Sequence, residues 1–226
     1  MAKRRTSGIQ RRERASSDAL NRRLDEPSGP SLPDWRLLAI GGVLLVGILI
    51  IVLVLIFGSG TNPNEGTIQP DSGTQHFPVG TTCRSPAAPC GPNPYSSLPA
   101  TSGPHWDPSG VANWGVYTTP QNESQLVHNL EHGGIVIWYD PSLDAAGVDA
   151  LTQYVNTQVA SGLSGRYKFI LSPWGGDEPL SAPVVATAWR WLLPLDTVDT
   201  SAIGDFARAH YQRSPEPNGG PGPPTG

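Results

Sequence analysis

Hydrophobic positions show no pattern in the first 36 residues, run unbroken through the next 21, and thin out again to about Gln75. Only from His76 do they interleave with polar positions as in a folded domain. Leu37–Phe57 (LLAIGGVLLVGILIIVLVLIF) carries no charge. As a helix it would be about 31 Å long, enough for a hydrocarbon core of about 30 Å, and it predicts one transmembrane helix. A cleaved signal peptide fits less well, because the preceding tail is long, the run exceeds the usual ~7–15 residues and no small-x-small site follows. Residues 58–75 (GSGTNPNEGTIQPDSGTQ) read as a flexible, Gly-rich linker.

Beyond the linker the clearest element is Asn122–Tyr139, NESQLVHNLEHGGIVIWY. At about 100° per residue, Leu126, Val127 and Leu130 share one side of a helix. His128 and His132 fall near the opposite side, one turn apart, where two side chains meet a common partner. Asn122 with Gln125 suits the helix start and Gly133-Gly134 its stop. Ile135–Tyr139 then reads as a buried strand. Helical spacing returns over Leu143–Ser161, strands are expected at Arg166–Leu171 and Pro183–Leu193, and a closing helix at Ile203–Tyr211. The piece from His76 to Pro120 is crowded with Pro, Gly, Ser and Thr and predicts loop. These elements alternate only loosely, so the expected class is α+β, with a few strands, two or three helices and a loop-rich first third. The domain is expected to span 76–213, with a disordered tail from Ser214 (SPEPNGGPGPPTG). No internal repeat is present.

Composition sharpens the topology. Gly 26 and Pro 24 among 226 residues require sizeable loop or disorder. The net charge of −4 conceals a division: residues 1–36 carry nine Lys/Arg against five Asp/Glu, and the remainder is net acidic. Positive charge ahead of the apolar run keeps the N-terminus in the cytoplasm and sends the domain across the membrane. The expected location is therefore the cell membrane, single-pass, with an extracytoplasmic C-terminal domain. The KRR, RRER and NRR clusters are better explained by this topology than by nucleic-acid binding. In an oxidising compartment Cys83 and Cys90, flanking RSPAAP, are expected to form a disulfide worth about 2.5 kcal/mol at most. Six of seven tryptophans lie beyond the anchor and are expected to fill the core rather than form sugar-binding platforms.

The candidate chemistry is histidine chemistry. His128 and His132 at i and i+4 can present nitrogens to one ion, with His105 and His76 completing a zinc- or copper-like site. The only methionine is the first residue, so a Met-rich copper(I) site is excluded. His132 near a helix C-terminus would also be favoured by the helix dipole without a metal, and His210 is expected on the surface. H-N-L-E-H matches the H-x-x-E-H zinc-peptidase pattern, in which Glu131 would polarise a metal-bound water. Glu131 serves equally as a partner fixing a histidine tautomer, or as an ion-pair partner of Arg166 or Arg190. Three readings follow: a metal-binding domain, a zinc-dependent hydrolase with Glu131 catalytic, and a metal-free scaffold binding an envelope protein or wall polymer. No Ser-His-Asp arrangement, phosphate loop or dinucleotide fingerprint is present.

The segments TQHFPVG (74–80), PATSGPHWDPSGVANWGVY (99–117), QLVHNLEHGGIVIWYDPSL (125–143), FILSPW (169–174) and APVVATAWRW (182–191), with the stretch from Phe206 to Glu216, resemble the bacterial domain-of-unknown-function family 3105. The resemblance covers residues 74–217 in order and includes His76, His105, His128 and His132. It implies no established activity; many of its members carry one N-terminal membrane anchor. The cysteine pair is not part of that pattern. On the topology read here, protease added to intact spheroplasts should digest residues 76–213 and spare the N-terminal tail. Loss of an N-terminal tag with protection of the C-terminus would reverse it.

Overall fold

The computed structural model describes residues 46–49, 62–92, 94–160 and 166–224. The basic tail 1–36 and the run Leu37–Phe57 lie outside the described residues except for 46–49, which are helical. No helix among the described residues is long and apolar enough to cross a membrane. The chain divides into units 1–59 and 60–226, and the elements below belong to the second.

In chain order the strands are β1 (Thr67–Ile68), β2 (His76–Phe77), β3 (His105–Trp106), β4 (Gly115–Val116), β5 (Ile135–Tyr139), β6 (Phe169–Pro173), β7 (Val184–Ala188) and β8 (Trp191–Leu195). The helices are α1 (Glu123–Glu131), α2 (Ala145–Ala160) and α3 (Thr200–His210). The main sheet runs β1-β8-β7-β5-β6-β4 and is mixed. β4, β6 and β5 are parallel, whereas β5, β7, β8 and β1 pair antiparallel. The fold is α+β. β2 and β3 form a separate parallel ladder that sets His76 opposite His105.

β5 is apolar at every position because both sheet faces are covered there. Ile135, Ile137 and Tyr139 pack with Leu151 and Val155 of α2 and with Ile203 and Phe206 of α3. Val136 and Trp138 face the other way, onto Leu126, Val127 and Leu130 of α1 together with Trp114, Trp174 and Trp189. Four of the tryptophans are thus core filler, as their density predicts.

The structure departs from the sequence expectation in four places. The stretch expected as one strand over Pro183–Leu193 is a hairpin, β7 and β8, turning at Arg190 with φ 63°. No Gly or Asn marks that turn, so the apolar pattern runs through it. The linker joins the domain before His76: β1 pairs with β8, and Asn64 Nδ2 donates to Asp205 Oδ2 at 2.9 Å. His210, expected at the surface, is buried, stacked on Trp191 at 4.2 Å with Nε2 2.8 Å from the Glu65 carbonyl. The stretch from Ser214, expected to be disordered, lies along the domain as far as Pro221, where Trp114 Nε1 donates to the Pro221 carbonyl at 2.8 Å.

Cys83 and Cys90 are bonded. Their loop is tied to the start of α1 by Arg84, whose guanidinium grips Glu123 at 2.6 and 3.0 Å, and by the Cys83 N–H on Ser124 Oγ at 3.2 Å. The first third, irregular in conformation, is therefore held against α1 by specific polar bonds. Because Leu126 is fully buried between α1 and the sheet, Leu126→Ala should destabilise the domain by about 2–5 kcal/mol in chemical denaturation. A loss below about 1 kcal/mol would show that this contact can relax without a cavity.

Candidate metal centre

α1 starts where Asn122 accepts the Ser124 N–H through its side chain at 2.9 Å. It stops in a Schellman arrangement: Gly134 N–H donates to Asn129 O at 3.0 Å and Gly133 N–H to Leu130 O at 2.9 Å, with Gly133 at φ +77°. The face opposite the apolar stripe does not look onto solvent. It is roofed by the chain around residues 103–112, and Ser124, His128, Asn129 and Glu131 are all buried. Asn129 exchanges both amide bonds with the backbone of Ala112, at 3.1 and 2.8 Å.

Under this roof His76, His105, His128 and Glu131 converge, each offering a donor atom within 4.8 Å of the others. Glu131 Oε2 lies 2.9 Å from His105 Nε2 and 3.7 Å from His76 Nε2. The rings of His76 and His105 are 4.5 Å apart between centroids, and those of His105 and His128 4.9 Å. His105 is wholly enclosed, and only His76, with a side chain 38% exposed, connects the cluster to solvent.

The tautomers follow from the carbonyls. His105 Nδ1 sits 2.7 Å from Gly103 O, and His128 Nδ1 2.7 Å from Trp106 O. A carbonyl only accepts, so both Nδ1 atoms carry hydrogen, and a ring that is neutral turns its Nε2 lone pair elsewhere. A backbone carbonyl orienting the far nitrogen in this way is the usual support for a metal-ligating histidine. His105 Nε2 and Glu131 Oε2 are both buried and have no hydrogen-bond partner besides each other. A proton on His105 Nε2 would join the two as an ion pair, and a metal ion shared by both would replace that proton.

Burial, with His105 and His132 close by, pushes His128 down to about 4. For Glu131, burial works against ionisation, but a hydrogen bond from His105, with the positive charge that His105, His76 and His128 can carry, outweighs burial and holds the carboxyl below its ordinary range. The cluster therefore favours neutral His128 and ionised Glu131, a donor set ready for a cation.

Of the residues expected to hold a metal, His76, His105 and His128 come together and His132 does not. Its ring neighbours His128 at 4.6 Å, as the i, i+4 spacing requires, but its Nδ1 turns to the Glu216 carbonyl at 3.2 Å. Glu131 stands among the donors and pairs with neither Arg166 nor Arg190. This departs from the H-x-x-E-H peptidase arrangement, in which both histidines hold the ion and the glutamate stays off it. Glu131 as a donor was hidden because a carboxylate beside two histidines suggests a base before a ligand. Lys168, which bonds the end of α1, was missed as well; a lone charge in the run YKFIL was the available signal.

Fold and site together define an α+β domain with a buried histidine–carboxylate cluster able to hold a metal. The family described as "Protein of unknown function (DUF3105)" matches residues 88–221, and the chain belongs to that family. The matched range takes in His105, His128 and Glu131, and His76 precedes it. No curated protein and no solved structure matches the chain.

The His128 shift makes the metal-free domain sensitive to acid. Its folded value lies below its unfolded value of about 6.5, so the unfolded chain binds the proton first and stability falls as pH drops from about 6.5 toward 4. Glu131, also depressed, acts in the same direction at the acid end. Urea melts in chelator should lose about 2–3 kcal/mol between pH 7 and 4.5, and His128→Gln should flatten that slope. An equal slope in the variant would remove His128 as its source.

Proposed function

We propose that this protein binds one transition-metal ion through His76, His105, His128 and Glu131, in a domain carried outside the cytoplasm on the helix of Leu37–Phe57. The observation that carries the metal reading is the convergence of three imidazoles and a carboxylate, with donor atoms within 4.8 Å of one another and with His105 and Glu131 enclosed. Three imidazoles and a carboxylate suit zinc or copper(II), and both cysteines are committed to a disulfide. Four protein donors fill a tetrahedral zinc shell, which suits a binding or structural site better than a hydrolytic one with an open position. The solvent-facing His76 is the natural entry. The Cys83–Cys90 bond supports placement in an oxidising compartment.

Elemental analysis of the purified protein, with thermal melts in zinc, copper and chelator, tests the reading. One ion per chain is expected, lost in His105→Ala and Glu131→Gln and retained in His132→Ala. The ion should raise the melting temperature in proportion to its occupancy. A wild-type protein that carries no metal, takes up neither ion and melts identically in chelator would leave an anchored scaffold as the reading.

A further inference from the structure

Glu131 is the last residue of α1, so whatever holds that helix end also aims its carboxylate. The Schellman turn satisfies the carbonyls of Asn129 and Leu130. The next two carbonyls, of Glu131 and His132, require partners from elsewhere. The C-terminal segment supplies one: Glu216 N–H donates to Glu131 O at 3.1 Å. Lys168 supplies the other, donating from Nζ to His132 O at 2.9 Å.

The same ammonium donates to Pro217 O at 2.7 Å and Gly219 O at 2.9 Å. Its three hydrogens are thereby matched to three carbonyls, one on the helix end and two on the C-terminal segment. Lys168 is 2% exposed and makes no ion pair among the described residues. A buried cation compensated by carbonyl dipoles and the face of Trp114, 5.9 Å away, but by no carboxylate is costly, and much of that cost falls on the geometry of those carbonyls. The segment is seated further along by Gly219, which lies so close to the His132 ring that an added Cβ would meet Nδ1 at 2.1 Å.

We infer that Lys168 and residues 214–221 are positioning elements of the metal centre, a strap that holds the last turn of α1 so that Glu131 meets His105 and His76. This rests on the metal-binding reading above. Without the strap the hydrophobic contacts of Leu126 and Leu130 still seat α1, but two terminal carbonyls lose their partners and the turn carrying the carboxylate is free to fray. Supporting groups of this kind typically change metal affinity by about 10–100-fold.

The test uses the full-length protein in detergent, with Co²⁺ and Zn²⁺ as probes. Lys168→Met, Gly219→Ala and a chain ending at Arg213 are compared with wild type by metal titration and by the visible spectrum of bound Co²⁺. Each should bind at least about 10-fold more weakly with an altered Co²⁺ spectrum, and a peptide of residues 214–226 should restore the shortened chain. Variants that keep their near-ultraviolet circular dichroism and bind with wild-type affinity and spectrum would overturn the strap. If Lys168→Met or the shortened chain unfolds, Gly219→Ala decides, because it keeps the ammonium and the whole segment in the chain and perturbs a single contact, at the His132 ring. A wild-type protein that binds neither ion defeats the metal reading itself, and the strap's role with it.

Discussion

α1 has no solvent-facing side, and a nine-residue helix with Ser, His, Asn and Glu at buried positions can be enclosed only if each of those groups finds a partner. The irregular first third of the domain meets that demand. Tyr95 and the Cys83 N–H take Ser124, Ala112 takes Asn129, the Trp106 carbonyl takes His128, and His105 faces Glu131. What composition describes as loop is, in physical terms, a roof whose shape is set by the polar face of one short helix. The apolar face of the same helix seals the sheet through Leu126, Val127 and Leu130.

The candidate metal centre is where that roof meets the helix with titratable side chains rather than with backbone. Asn129 is satisfied in full by backbone, whereas Glu131 Oε2 and His105 Nε2 are left facing each other. The parallel pairing of His76 with His105 adds a third donor, and the depressed His128 keeps a fourth donor free of its proton near neutrality. Burial that would penalise a lone charge thus favours a shared cation, since the donors are already dehydrated and oriented before an ion arrives.

The far end of α1 shows the same economy of partners. Gly133 and Gly134 close two carbonyls locally, and the C-terminal segment with Lys168 closes the next two. A Pro- and Gly-rich sequence that cannot build a core of its own becomes ordered because it meets preformed donors and acceptors.

Local chemistry made much of this legible in advance. The Asn122 cap, the Gly133-Gly134 stop, the fully apolar Ile135–Tyr139 and the spacing of α2 are decided within a few residues, so the sequence alone determined them. It also brought His76, His105 and His128 forward as candidates, by residue type and by the blocks that resemble the family. Tertiary structure alone decided the rest. Helical periodicity places His128 and His132 on one face but carries no information about what covers that face, so it could not tell that only His128 turns toward the donors. The meeting of His76 with His105 depends on a strand register across a long irregular segment, and the ordering of residues 214–221 on a buried lysine far away in the chain. Neither leaves a periodic trace, because each contact involves a segment whose own sequence specifies only loop.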